Sequence, residues 1–386
     1  MPLCTAALHT GFSINARRPA LTNKIKCGRL LLRRFLFSLN QLTISDAYID
    51  GQWVSSRNGK KFDVTNPADG GVVASVADCD VSEFKSAVVS AKQAFESWGF
   101  STTAKERHDL LLKWYQLIVA HKDDLAKLMT LEQGKPLAES AGEIVYAASF
   151  FEWFAEEARR ISGEIVPPNA RGRQILFYRE PIGVAALITP WNFPAAMITR
   201  KAGAALAAGC TCVVKPAEDT PLSALALVKL GHEAGIPKGV FNVVPCSLEN
   251  APTAGKFFCE SDDVATISFT GSTEVGKKLL EQSANKVKRV SLELGGNAPF
   301  IVFDSADVDK AVAGAIASRF RNSGQTCVCA DRFFVQDGIY ERFVSKLAEQ
   351  VQDISLAHGL DPNCKQGPLI NQSAVEKVRV LFWAFT

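Results

Sequence analysis

The sequence predicts an α/β protein organised around a doubly wound parallel sheet. Three observations predict it. From Ile182 apolar strand-like runs alternate with helical ones. The run CTCVVKP is apolar almost throughout, as a strand covered on both faces is. The strand TISFTGS delivers Gly271 to the approach of a helix. With 386 residues the chain is long enough for two or three domains with ample cores.

Before that alternation, AYIDGQWVSS and KFDVTNPADGGVVASV read as short strands separated by Asn-Gly and Asp-Gly turns. From Val81 to about Gly163 the spacing becomes helical. Its stretches are SEFKSAVVSAKQAFESW, ERHDLLLKWYQLIVAHKDDLAKLMTLEQG and a third around EIVYAASFFEWFAEEARR. GEIVPPNARGRQILFYREP reads as a protruding hairpin, because polar and apolar positions alternate around its Pro-Pro-Asn-Ala-Arg-Gly turn. Then come the strand GVAALITP, the helix ITRKAGAALAAG closed by Gly209, the strand CTCVVKP and the helix SALALVKLGHEAG. The strands GVFNVVP and TISFTGS and the helix TEVGKKLLEQSANKV complete the first unit. A second begins near Leu294, with APFIVF, a helix at DVDKAVAGAIASRF, the stretch RNSGQTCVCADR, the strand FFVQ and a helix from Tyr340.

The net charge of +3 hides an uneven distribution. Residues 1–40 hold seven basic residues (Arg17, Arg18, Lys24, Lys26, Arg29, Arg33, Arg34) and no acid, which leaves 36 basic against 40 acidic residues beyond them. GRLLLRRFLF alternates Leu and Phe with Arg, as an organelle-targeting amphipathic segment does, and its apolar run is too short for a secretory signal. A mitochondrial presequence is expected, with a plastid address as runner-up and a nucleic-acid-binding arm as the other reading. No other basic cluster supports nucleic acid. The uncharged run Ala202–Val214 has 13 residues, too few to span a bilayer.

Four segments carry chemistry. In FTGSTEVG, Gly271 and Gly276 keep the outer spacing of a dinucleotide fingerprint, with Thr273 at the middle glycine's place and a helix expected to open beside Gly276. A plain helix cap explains the same residues. In VVKPAEDTP, Lys215 ends a strand and Glu218 follows three residues later. The pair suits the hydroxyls of an adenosine ribose, and its carboxylate repels a 2′-phosphate, which favours NAD over NADP. A salt bridge in a surface loop is the alternative. In TPWNFP, two prolines bracket Trp191 and Asn192, so that a rigid turn aims an amide donor at an oxyanion; a plain tight turn accounts for it too. In SLELGGNAP, Glu293 stands in an apolar run, where burial is expected to raise its pKa toward that of a general base.

Ten cysteines are few for this length. Cys210-x-Cys212 and Cys327-x-Cys329 lack the two-residue spacer of zinc ribbons, and the five histidines cluster with neither pair. No metal site is expected, and Cys210 and Cys212 read as core. Cys327, beside an Asn donor, a buried Glu and a nicotinamide, fits one reaction: thiolate attack on an aldehyde, hydride loss to NAD⁺, and hydrolysis of the thioester by water that Glu293 activates.

YIDGQWV, TNPADG, LEQGKPLAE, TPWNFP, KPAEDTP, GIPKGVFNVV, FTGSTEVG, LELGGNAP and GQTC stand in order from about Tyr48 to Val378. With them the chain resembles the aldehyde dehydrogenase superfamily. MITRKAGAALAAGCT, FRNSGQTCVCADRF and CKQGPLINQSAVEKV extend the likeness to its NAD-dependent succinate-semialdehyde-oxidising branch. The resemblance implies Cys327 as nucleophile, Glu293 as proton acceptor and Asn192 as oxyanion donor. It implies NAD on Trp191, on Lys215, Pro216, Ala217 and Glu218, and on Gly271, Ser272, Thr273, Glu274, Val275 and Gly276. It assigns Arg200 and Arg321 to the substrate carboxylate, where paired guanidiniums select an aldehyde with a distal acid. A reversible Cys327–Cys329 disulfide is expected on the ground that residues i and i+2 of a strand share a face; a small packed residue is the alternative for Cys329.

The implied organisation is a presequence (1–35), an NAD-binding domain (36–162 and 182–293), an oligomerisation hairpin (163–181), a partial catalytic domain (294–378) and a divergent tail (379–386). A homotetramer in the mitochondrial matrix, degrading 4-aminobutyrate, goes with it. The likeness stops after AVEKV, and a later Glu-x-Phe-Gly-Pro segment is missing, so the expectation is a C-terminally truncated chain. Two further readings stand beside succinate semialdehyde oxidation. One is a catalytically dead isoform that binds NAD or partner subunits; the other is a dehydrogenase for glutarate semialdehyde or a similar ω-carboxy aldehyde.

Overall fold

The computed structural model describes residues 38–385, and the segment expected to carry targeting, 1–35, lies outside the described residues. After one helical turn at Leu39–Leu42, strands β1 (Ala47–Ile49) and β2 (Gln52–Val54) form a hairpin. Its loop, Asp50-Gly51, has φ of 51° and 78°, the left-handed turn that Asp-Gly favours. β3 (Lys61–Thr65) and β4 (Val72–Ala77) form a separate antiparallel ribbon.

Four helices follow: α1 (Val81–Phe100), α2 (Ala104–Ala120), α3 (Lys122–Gln133) and α4 (Leu137–Ala158). Capping boxes Asp80–Glu83 and Thr103–Glu106 start the first two. The stretch from Glu106 to Gly134, expected to be one helix, is two. His121 leaves the helical dihedrals (φ −103°, ψ 15°), and its Nδ1 lies 2.7 Å from the Leu117 carbonyl. Asp123 and Asp124 then open α3 at the end where the helix dipole favours acids. The expected hairpin is present as β5 (Glu164–Val166) and β6 (Ile175–Phe177), exposed along its length.

Strands and helices next alternate through β7 (Val184–Ile188), α5 (Ala196–Ala207), β8 (Thr211–Lys215), α6 (Pro221–Ala234) and β9 (Phe241–Val243). The series continues with α7 (Ala251–Glu260), β10 (Val264–Thr270), α8 (Thr273–Ser283) and β11 (Arg289–Glu293). The order is β11-β10-β7-β8-β9-β1-β2, parallel from β11 to β9 and antiparallel at the β1 and β2 edge. Every residue of β7 and β8 is buried, because helices cover both faces. On one face Phe84 and Val88 of α1 meet Val213, Ile267 and Phe258. On the other, Trp114 of α2 stacks on Phe151 of α4 and meets the edge of Phe241. Cys210 and Cys212 are core residues, as read. Helix α7 was not expected. In its sequence APTAGKFFCE, Pro252 falls in the first turn, where its missing N–H breaks no helix bond.

The second unit holds the parallel pair β12 (Ala298–Val302) and β13 (Ala330–Val335), with α9 (Val308–Arg319) and α10 (Asp337–Gln352) packed around Val302, Val312, Ala315, Ile339 and Phe343. Residues 355–371 then run back along the α3–α4 junction, where Leu137 N donates to Gly359 O (2.9 Å). A Cβ on Gly367 would lie 2.2 Å from the Gly134 carbonyl oxygen, so the two backbones touch. Helix α11 (Gln372–Phe385) closes the described chain. No described helix is long and apolar enough to cross a membrane.

Candidate active site

The turn after β7 is held from behind by a buried ion pair. Lys135 Nζ lies 2.6 Å from Glu143 Oε2, and both side chains are almost wholly excluded from solvent. Glu143 Oε1 accepts the amides of Ala195 (3.0 Å) and Ala196 (3.2 Å), and Lys135 Nζ donates to the Asn192 carbonyl (2.7 Å). The same ammonium sits 4.2 Å from the centre of the Phe193 ring. Burial pulls the Lys135 pKa down, while Glu143 opposes that shift. Thus pinned, the turn presents the Asn192 side chain forward. Its Oδ1 accepts from Phe193 N (3.0 Å), and its Nδ2 donates to the Gln325 carbonyl (3.0 Å), two residues before Cys327. Trp191 beside it is half-buried.

Cys327 is exposed and follows a short turn, Arg321–Gly324, in which Asn322, Ser323 and Gly324 all have positive φ. The strand geometry expected for the two cysteines does not hold. Strand β13 starts only at Ala330, and Cys329 N donates to Thr326 O (3.1 Å) inside a turn. The Cys329 thiol is buried and directed at the Arg319 carbonyl (3.7 Å). The Gly295-Gly296 turn after β11 reaches this loop, since a Cβ on Gly296 would lie 3.3 Å from the Cys327 carbonyl oxygen.

Glu293 needs correction. It ends β11, but that strand is the sheet edge, and the carboxylate is exposed rather than buried, so the burial from which a base was expected is not there. The backbone beyond Glu293 meets Cys327, whereas its side chain lines an open groove of about 420 Å³ with Arg200, Lys201, Ser268 and Ser291. The sequence reading passed over Lys201. Its ammonium donates to Ser268 Oγ (2.8 Å), and burial pulls its pKa down to about 8, against the pull of Glu293 and with that of Arg200. The two arginines rest on aromatic rings of different elements. Arg200 donates to Tyr146 OH (2.7 Å) and lies over Tyr146 and Phe150, while Arg321 lies 4.9 Å from the Phe193 ring centre.

The carboxyl ends of the strands hold the dinucleotide candidates. Lys215 ends β8, donates to the Pro216 carbonyl (2.9 Å) and lies 3.6 Å from Glu218, with Ala217 buried between them. Beside them burial, and then Glu218, push Asp219 up to about 6. The helix read as TEVGKKLLEQSANKV starts at Thr273, as expected, three residues before Gly276. Ser272 is its N-cap, accepting from Val275 N (3.3 Å), and Thr273 is its first residue. Glu274 is in the first turn, paired with Lys278, and Val275 is exposed. Gly271 N donates to the Glu293 carbonyl (3.1 Å), and Gly276 has no room for a Cβ, which would come 2.5 Å from Leu294. The Gly271–Gly276 segment and the Glu293 turn are therefore one packed unit. These residues fit a dinucleotide. Among the described residues, Thr220 Oγ1, Ser247 Oγ and Thr270 Oγ1 are buried hydroxyl oxygens without a protein partner, near the carboxyl ends of β8, β9 and β10.

The model of the aldehyde dehydrogenase family matches residues 53–382. The chain is 57% identical over 335 residues to the mitochondrial succinate-semialdehyde dehydrogenase of Hylobates lar, covering 86% of this chain and 62% of that protein. It is 55% identical to the glutarate-semialdehyde dehydrogenase of Pseudomonas putida, covering 88% of this chain and 70% of that one. A solved structure titled as an NADP dependent enzyme of E. coli superposes with a TM-score of 0.86 at 55% identity, over 88% of this chain and 70% of that one. This chain thus spans under two thirds of the gibbon protein's length. A match that runs from β2 into α11, on a sheet whose strand ends carry the motifs, makes the chain a member of the aldehyde dehydrogenase family.

Proposed function

We propose that this chain oxidises succinate semialdehyde, or a close ω-carboxy aldehyde, to the acid with NAD as hydride acceptor. The observation that carries the reading is the Asn192 Nδ2 bond to the Gln325 carbonyl, which sets an amide donor beside the loop of an exposed cysteine. The Cys327 thiolate adds to the aldehyde carbon, and the oxygen that becomes anionic meets the Asn192 amide. A nicotinamide cofactor held by Lys215, Glu218 and the Gly271–Gly276 helix start would supply the hydride acceptor. Glu293 accepts a proton from water, which hydrolyses the thioester and frees Cys327. The Lys201 ammonium lines the same groove as the Glu293 carboxylate. Arg200 and Arg321 hold the distal carboxylate.

Lys215 and Glu218 hold the adenosine ribose, flanked by Trp191, Pro216 and Ala217, and the helix start from Gly271 to Gly276 receives the pyrophosphate. Glu218 repels a 2′-phosphate, which supports NAD even though one similar structure is titled NADP dependent. Residues 1–35 act as a mitochondrial address, supported by their basic, acid-free composition and by the similarity to a mitochondrial gibbon enzyme. Residues 36–162 and 182–293 serve the cofactor, 294–378 supply part of the catalytic domain, and the 163–181 hairpin serves self-association.

The test follows NADH formation from succinate semialdehyde and NAD⁺ by the full chain beside Cys327→Ala. Turnover that the substitution abolishes supports the reading. A folded, NAD-binding chain without turnover refutes it in favour of a role in binding cofactor or subunits. Glutarate semialdehyde in parallel separates the substrates, whose one-methylene difference is worth roughly 1–3 kcal/mol. A Cys327–Cys329 disulfide as an oxidative off-switch would require the buried Cys329 thiol to leave the Arg319 carbonyl and turn to the exposed Cys327. A peptide map after mild peroxide that finds Cys327 oxidised and Cys329 still a free thiol refutes that switch.

A further inference from the structure

One buried residue ties the cysteine loop to the Asn192 turn, and every one of its polar atoms is used. Asn322 is 1% exposed and adopts left-handed dihedrals (φ 51°, ψ 39°) five residues before Cys327. Its N–H donates to Glu139 Oε2 (2.9 Å), and its carbonyl accepts from Gln325 N (3.0 Å) and Gln325 Nε2 (3.1 Å). Its side-chain Oδ1 accepts from Gln133 Nε2 (3.0 Å), and its Nδ2 donates to the Asn192 main-chain carbonyl (2.9 Å). That carbonyl is the one that Lys135 also holds. The Asn192 amide meanwhile donates back to Gln325 on the cysteine loop.

The arrangement makes two demands on position 322. The backbone must sit in the left-handed region, which among residues with a Cβ asparagine and aspartate tolerate best. The side chain must accept from Gln133 and donate to Asn192 at once, which an amide does and a carboxylate does not. Asparagine meets both. We propose that Asn322 is a positioning residue: its amide fixes the Asn192 turn against the cysteine loop, and so sets where the oxyanion donor stands relative to the Cys327 sulfur. The inference rests on the reading of Cys327 as nucleophile and Asn192 as donor.

Two reactions of Cys327 separate positioning from folding. Alkylation by iodoacetamide forms no oxyanion, whereas acylation by p-nitrophenyl acetate does. Both are followed at Cys327 by peptide mass spectrometry in the full chain, for Asn322→Asp, which keeps the shape and the Oδ1 acceptor, and Asn322→Gly, which keeps the backbone free to be left-handed. Acylation is expected to fall roughly 10–100-fold in both variants, somewhat less than for outright loss of an oxyanion donor, with alkylation held within about twofold. Gln133→Met, which changes no residue of the cysteine loop but removes the donor to Asn322 Oδ1, is expected to shift the same ratio in the same direction. Acylation at the wild-type rate overturns the proposal, and so does a parallel fall of both reactions. If Cys327 of the unmodified chain is alkylated but never acylated, the underlying reading of the site fails, and the proposal with it.

Discussion

The Lys135–Glu143 pair gives the sharpest test of how the site is supported. Lys135→Met removes the cation bonded to Glu143 and leaves that carboxylate 0% exposed, with the Ala195 and Ala196 amides as its remaining partners among the described residues. Breaking a buried pair from one side costs about 3–5 kcal/mol, because the remaining charge is neither solvated nor paired. That is a large share of the roughly 5–15 kcal/mol that holds a typical domain. Adding Glu143→Gln removes the stranded charge and keeps an amide oxygen for Ala195 and Ala196. Methionine fills the lysine stem's space against the Phe193 ring. The double variant should therefore regain at least half of the loss, a coupling that a double-mutant cycle in urea reads directly. A single variant that loses less than about 1 kcal/mol, or a double variant no more stable than the single, refutes the claim that this pair is buried and mutually dependent.

Asp219 gives a pH signature. Its pKa rises from 3.8 to about 6 on folding, so the folded chain binds the extra proton, and stability is lost as pH rises from 3.8 through 6. Asp219→Asn should flatten that slope and add about 1–3 kcal/mol at pH 7, read by urea titrations at several pH values; an unchanged slope refutes the assignment. Gly367→Ala places a methyl 2.2 Å from the Gly134 oxygen, and backbone cannot yield there. A loss of about 1–3 kcal/mol and faster proteolysis within residues 355–371 are expected, and wild-type protease resistance refutes the contact. Glu293→Gln should leave acylation by the aldehyde intact and slow deacylation, giving a burst of NADH and a persistent thioester mass on Cys327; steady turnover without a burst excludes Glu293 as the proton acceptor.

Local signals made the sheet legible. Strands apolar almost throughout, such as CTCVVKP, announced burial on two faces, and the motif-bearing turns fell at strand ends as expected. The misses share a physical cause. His121 looks helical by spacing, and only its own dihedrals split the stretch into two helices. Glu293 looked buried because Leu292 and Leu294 flank it, yet an edge strand exposes one face whatever its neighbours are. Cys327 and Cys329 were read on a strand that begins only at Ala330 and so contains neither of them. The supporting residues were illegible for a different reason. Lys135, Glu143 and Asn322 act through partners far along the chain, such as Gln133 to Asn322 across 189 residues, and no periodicity encodes that.

Those separations bear on how the molecule is made. Asn66 bonds His358 across 292 residues, and the stretch 355–371 lies against Gly134. A chain leaving the ribosome from its amino end can build the parallel sheet early. Until Asn322 and residues 355–371 emerge, it cannot cover the Gln133–Lys135 corner. For most of synthesis that corner is an open polar wound in an otherwise finished body. Contacts this distant in sequence form slowly. Among the described residues the cysteine loop therefore matures late, and its thiol stays idle until residues 355–371 lie against the Gly134 corner.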